Sequence, residues 1–174
     1  MGYAMTEFLV NRSYADEYNL IACAIGHHIY DSRWMRDTTY LKQIIRTWYR
    51  GNNGAPMKKM MNFSSWNIDA QLNMYYVTGD KQFLLNMYPD MLAEYQRWEA
   101  GHRLPGGLYW QGDVQDGMEE SISGGRRKRY ARPTINSYMF GNAKALADIA
   151  TMAGDQQKAA LYTQKADTIK QLVS

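Results

Sequence analysis

The chain has 174 residues, of which 13% are aromatic and 21% charged, and a net charge of +3. That is long enough for one domain with a real core. Five positive charges crowd into one run at Arg126, Arg127, Lys128, Arg129 and Arg132, which leaves the remainder near neutral and gives no surface suited to nucleic acid. No apolar run reaches the roughly 18–20 residues of a membrane span, the N-terminus lacks a signal peptide's basic and apolar regions, and a lone Cys23 excludes an intrachain disulfide.

In chain order, residues 1–15 are short and mixed. Asp16 then caps a predicted helix running to about His28, with Leu20, Ile21, Cys23, Ala24 and Ile25 as its buried face. His27 and His28 point about 100° apart on such a helix, so they do not share a metal, and no metal or cofactor is expected. Arg33, Trp34 and Asp37 belong to a charged turn. A second helix is predicted from about Thr38 to Arg50, ended by Gly51, Gly54 and Pro56. A third runs from about Trp66 to Thr78 and a fourth from about Lys81 to Ala100, with Pro89 expected to break it. The fifth spans about Ile135 to Met152 and the sixth about Gln156 to Val173. No segment alternates like a strand for long, so the fold class is all-α, with at most a short hairpin near Tyr109. Gly79-Asp80 and Gly154-Asp155 recur 75 residues apart. In each pair glycine can close one helix and aspartate cap the next. Three helical hairpins in series follow, of the kind that bury their faces against neighbours in solenoids or closed toroids.

The stretch from Leu108 to Tyr138 interrupts this scaffold. Asp113, Asp116, Glu119 and Glu120 fall close together, and Gly117, Gly124 and Gly125 let the backbone turn sharply. A long polar loop wedged between helices is where chemistry concentrates. It is expected at one end of the helical stack, beside the turn at Trp66 or the one at Arg33. Arg132 is placed to pair with one of the loop acids.

Trp66 with Tyr76-Val-Thr-Gly-Asp80, Phe83-Leu84, Met87-Tyr88-Pro89 and Trp98 resembles the helical hairpin of the inverting glycosidases built on an (α/α)6 toroid. That group includes processing α-glucosidase I, the mannosylglycerate hydrolase-like proteins and, more distantly, trehalase. Asp116-Gly-Met-Glu-Glu-Ser121 is similar to that family's S-G-(W/M)-D-N-S-P motif, and Arg132-Pro-Thr-Ile-Asn-Ser-Tyr138 and Lys144 to Ala150 also fit. The resemblance covers residues 60–174 well and 15–55 loosely. It implies that Glu119 is the general acid, although glutamate stands where aspartate is usual and Ile122 replaces the proline; Asp116 is the competing candidate. The substrate-binding set expected beside them is Trp66, Trp110, Arg33, Trp34, Asp37, Asp69 and Arg132.

Inversion needs two carboxyl groups about 6.5–9.5 Å apart, one protonating the leaving oxygen and one activating water. The family's general base lies in a later hairpin. Six predicted helices make half of the ring, so residues 1–174 are expected to form one partial toroid domain, inactive or weak alone. The implied partners are an oligosaccharide or glycoside and either a C-terminal half or a second copy in a homodimer, with no nucleic acid and no membrane. The parent family includes secreted and periplasmic members, and compartment stays open. The rival expectation is a non-enzymatic helical-repeat module that binds carbohydrate or a protein.

Overall fold

In the computed structural model, described for residues 22–51, 53–57, 60–117 and 128–174, the chain is all-α with one small sheet. The helices are α1 (Ala22–Ser32), α2 (Thr39–Arg50), α3 (Asn67–Thr78), α4 (Lys81–His102), α5 (Pro133–Ala153) and α6 (Gln156–Val173). The sheet joins β1 (Trp110–Gln111) to β2 (Tyr130–Ala131) antiparallel, Trp110 opposite Ala131. The expected Asp16 cap, the 1–15 segment, and Glu119, Glu120, Ile122, Gly124 and Gly125 with Arg126 and Arg127 lie outside the described residues. So does the side chain of Cys23.

The helices form two layers. α3 packs between α1 and α5, and α5 packs along α6 and against α4. α3 and α5 run parallel, since Asp69 sits beside Gly141 and Tyr76 beside Asp148, seven residues further along each helix. Behind them α2 and α4 are joined by Tyr49 to Glu94 and Arg50 to Asp90, and α4 and α6 by Lys165 to Glu99 and by Tyr95 edge-on to Tyr162. The core between the layers holds Trp48, Trp98, Tyr49 and Tyr95, each 0–1% exposed. Burial of such rings contributes about 25 cal/mol per Å² of apolar surface.

Both Gly-Asp pairs do what their sequence dictates. Gly79 (φ +69°) and Gly154 (φ +78°) end their helices in the left-handed conformation, where a side chain would be strained. Asp80 Oδ1 accepts the Phe83 N–H at 2.9 Å, and Asp155 Oδ1 the Lys158 N–H at 3.1 Å. α4 does not break at Pro89. Proline costs a helix one backbone hydrogen bond, but Pro89 lies on the exposed side, while Leu84, Met87, Met91, Tyr95 and Trp98 form one buried face running past it. Packing along that face outweighs the local loss. α1 continues beyond His28 because Ile29, fully buried, extends its apolar side.

A polar rivet crosses the core. Glu94 of α4 is fully buried, and its Oε2 accepts Tyr49 Oη at 2.8 Å and Asn67 Nδ2 at 3.0 Å, while Gln71 Nε2 donates to Tyr49 Oη at 2.9 Å. Burial pushes the Glu94 carboxyl above the usual carboxylate range. Three helices, α2, α3 and α4, are thereby held in one register.

Candidate active site

The organising loop is anchored at its base. Asp113 and Arg132, both almost fully buried, form an ion pair, and Arg132 Nε also reaches the Gln111 carbonyl at 3.4 Å. Among the described loop acids it is Asp113 that is seen paired with this arginine. Asn136, on the first turn of α5, locks the entering strand: its Oδ1 accepts the Tyr109 N–H and its Nδ2 donates to the Tyr109 carbonyl, each at 2.8 Å.

Asp116 ends a 3₁₀ turn (Val114–Asp116) and is 3% exposed. Its carboxylate accepts the N–H groups of Ile135 at 2.8 Å and Thr134 at 3.2 Å, and the hydroxyl of Ser64. A carboxylate facing the free N–H groups of a helix N-terminus is well placed electrostatically. Burial nevertheless raises its pKa, with those bonds opposing. Asp116 therefore caps the distant helix α5. Gly117 (φ +72°) follows in the left-handed conformation.

Ser64 N–H also donates to the Gln115 carbonyl at 2.9 Å. The loop thus docks on the turn that introduces Trp66, one of the two neighbours expected for it. Asn142 of α5 ties the same turn down, donating to the Ser65 carbonyl at 2.9 Å and accepting the Asp69 N–H at 3.2 Å. The Trp66 ring packs against His27 (5.3 Å between centroids), Tyr30 (5.2 Å) and Tyr138 (6.3 Å), drawn from α1 and α5. Gly26 makes this approach possible, because a Cβ there would lie 2.8 Å from Trp66 Nε1.

Asp69, one turn further along α3, is half-buried, and desolvation raises its pKa while Lys144 pulls the other way. Arg33 lies over Tyr30, its Cζ 3.3 Å from the ring centroid, and so touches the edge of the Trp66 cluster. Trp34 borders this edge through Arg33, whose Cζ lies 4.9 Å from its ring centroid, and Asp37 lies further along, on the turn that leads into α2. Trp34 is 69% exposed, and Asp37 accepts the Thr39 N–H at 2.9 Å. Trp110 belongs to a separate cluster, stacked on His102 at 4.2 Å.

The structure thus gathers Trp66, Asp69 and Arg33 along one edge, roots Asp116 and Arg132 in the loop's base, and sets Trp110 apart. Sequence reasoning missed Asn136 and Asn142; the signal was amides at core-facing positions of an otherwise apolar helix. Among the described residues no group of three side chains is arranged for a metal ion, and no helix is long and apolar enough to cross a membrane.

Residues 17–174 match the family described as the mannosylglycerate hydrolase MGH1-like glycoside hydrolase domain. A solved structure named "Sialidase" is similar at 68% sequence identity and a TM-score of 0.87, over 94% of this chain and 15% of that chain. The present chain therefore corresponds to a small part of that protein's length. No curated protein matches. With its fold and nearly its whole length in agreement, the chain belongs to the MGH1-like glycoside hydrolase domain family.

Proposed function

We propose that this domain supplies the acid half of an inverting glycosidase, with Glu119 as general acid. The observation that carries this reading is the anchoring of the loop. Asp116 bonds to Ser64 and to the start of α5, so the acidic run that follows leaves a fixed point next to Trp66. Trp66 and Asp69 hold the sugar, the ring by stacking and the carboxylate by accepting hydroxyl groups. Arg33 borders this subsite. Asp116 itself is the weaker acid candidate, since both its oxygens are already occupied by donors. Asp113 and Arg132 position the loop.

The row α1, α3, α5 backed by α2, α4, α6 is the arrangement expected of half an (α/α)6 ring, which supports a partial toroid over residues 1–174. The general base then comes from residues beyond this chain, or from a second copy. The substrate is an oligosaccharide or glycoside. The relative's name adds sialosides to the substrates to be tried. Sialidases use a tyrosine nucleophile in place of two carboxylates, so that chemistry would have a different signature.

The test uses this chain and a longer protein containing it, assayed on a panel of neutral glycosides and sialosides. The expected result is no turnover by the 174-residue chain. In the longer protein Glu119→Gln should lower kcat about 10²–10⁴-fold, and the first product seen by NMR should carry the inverted anomeric configuration. Unchanged turnover in Glu119→Gln, or a retained anomer, would remove the assignment.

A further inference from the structure

A cleft of about 550 Å³ opens beside Trp110, lined by Met61, Asn62, Gln111 and Gln115 but by none of the rings packed on Trp66. Its volume is within the usual range for small-molecule sites, about 300–1,000 Å³. Trp110 and His102 stack to form one wall, with ring planes 18° apart, and Met61 and Asn62 stand on the turn before α3. Arg129 extends over the Trp110 ring, its Cζ 4.5 Å from the centroid.

Three features give the cleft a preference. First, Gln111 is 3% exposed; its Oε1 accepts the Gly112 N–H at 3.1 Å, but its Nε2 has no hydrogen-bond partner. A buried amide donor left unpaired is costly, and an acceptor on a ligand would offset that cost. Second, no carboxylate lines the cleft among the described residues, and Arg129 brings a full positive charge. Third, His102 Nδ1 lies 3.0 Å from the Trp110 carbonyl. A carbonyl only accepts, so the proton is on Nδ1. Burial lowers the His102 pKa, which leaves Nε2 as an acceptor at neutral pH. The wall thus offers aromatic surface, an amide donor, an imidazole acceptor and a guanidinium.

We propose that this cleft is a second carbohydrate-binding site, separate from the reacting subsite, and that it takes a sugar unit bearing a carboxylate. Arg129 receives the carboxylate, Gln111 Nε2 donates to a ring or hydroxyl oxygen, and His102 accepts from a hydroxyl. The Trp110 and His102 edges carry the apolar face of the pyranose.

Glucuronate and glucose differ only at C6 and make a matched pair of probes, with acetate as the bare anion. The protein is titrated with each while the Trp110 indole N–H and the Gln111 carboxamide signals are followed by NMR. Glucuronate should shift both signals saturably, with glucose and acetate each at least ~10-fold weaker. Arg129→Ala, a change at an exposed side chain, should bring glucuronate down to the glucose level, and Gln111→Ala should weaken both sugars. Equal binding of glucose and glucuronate would overturn the carboxylate preference. Acetate matching glucuronate would reduce the cleft to a non-specific anion contact, and no saturable shift with any probe would remove the site. Binding is read without turnover, so none of these outcomes bears on Glu119.

Discussion

Asp116 commits its carboxylate to three donors, two of them the first free N–H groups of α5. Asp116→Ala should therefore lower stability by about 2 kcal/mol, read as a fall in the denaturant midpoint, whereas Glu119→Gln should leave that midpoint unchanged. Glu94 behaves differently, because its pKa is raised in the folded state. The stability that this gives is present below the usual carboxylate range and is lost as pH rises through the folded value. The stability of Glu94→Gln relative to the parent should accordingly grow from acid towards neutral pH, and a pH-independent difference would contradict a raised pKa. Glu94→Ala, which strands Tyr49 and Asn67 in the core, should cost about 3 kcal/mol at acid pH and less towards neutral pH, as the parent itself loses stability. His28, 8% exposed, has its pKa lowered to about 4 by burial, with His27 adding to the effect. Its imidazole should stay neutral across the mildly acid range, with an NMR titration midpoint near pH 4. The stability tied to that neutral ring is present above its unfolded pKa and lost as pH falls towards the folded one.

Helices α3 to α6 could be read from their own punctuation. Gly79-Asp80 and Gly154-Asp155 specify a left-handed closure followed by a side-chain cap, and both are local events that need no tertiary information. Asp80→Ala and Asp155→Ala should each cost about 1 kcal/mol, and the double variant about the sum, because the two caps share no hydrogen-bond partner. A double variant well outside additivity, measured by urea unfolding, would mean that the joints are coupled. Pro89 was the exception. Its local rule asks for a break, and the break is absent because the buried face of α4 is worth more than one hydrogen bond. The α1 boundary was misjudged for a related reason: adjacent histidines look like an ending, while Ile29 behind them is core.

At the level of the whole molecule, the all-α class and the hairpin series were legible because periodicity and caps repeat along the chain. The organising loop was legible as a concentration of acids and glycines. What could not be read was the division of labour within it. Asp113, Asp116 and Glu119 are equivalent on paper, and only the three-dimensional return of the chain at Arg132 to Asn136 turns the first into an ion-pair partner and the second into a cap. Likewise nothing in the sequence separates Trp110 from Trp66, which the fold assigns to different clusters. The Glu94 rivet joins α2, α3 and α4, and the apolar core continues into α5 and α6. The described helices should thus unfold together: near-ultraviolet signals from Trp48 and Trp98 and the far-ultraviolet helix signal should follow one transition. Two separated transitions would show that the hairpins are independent.

The connections are unequal at the two ends of α3 and α5. Gly-Asp joints of two residues close one end, and the long segments before Trp66 and before Pro133 occupy the other. An engineer would find these ends differently permissive. One residue inserted at a joint would swing the following helix by about 100° and turn its buried stripe outward. Lengthening a long connection costs only about 0.6 kcal/mol per doubling. New specificities are therefore best grafted at the Trp66 end, where the scaffold tolerates added length.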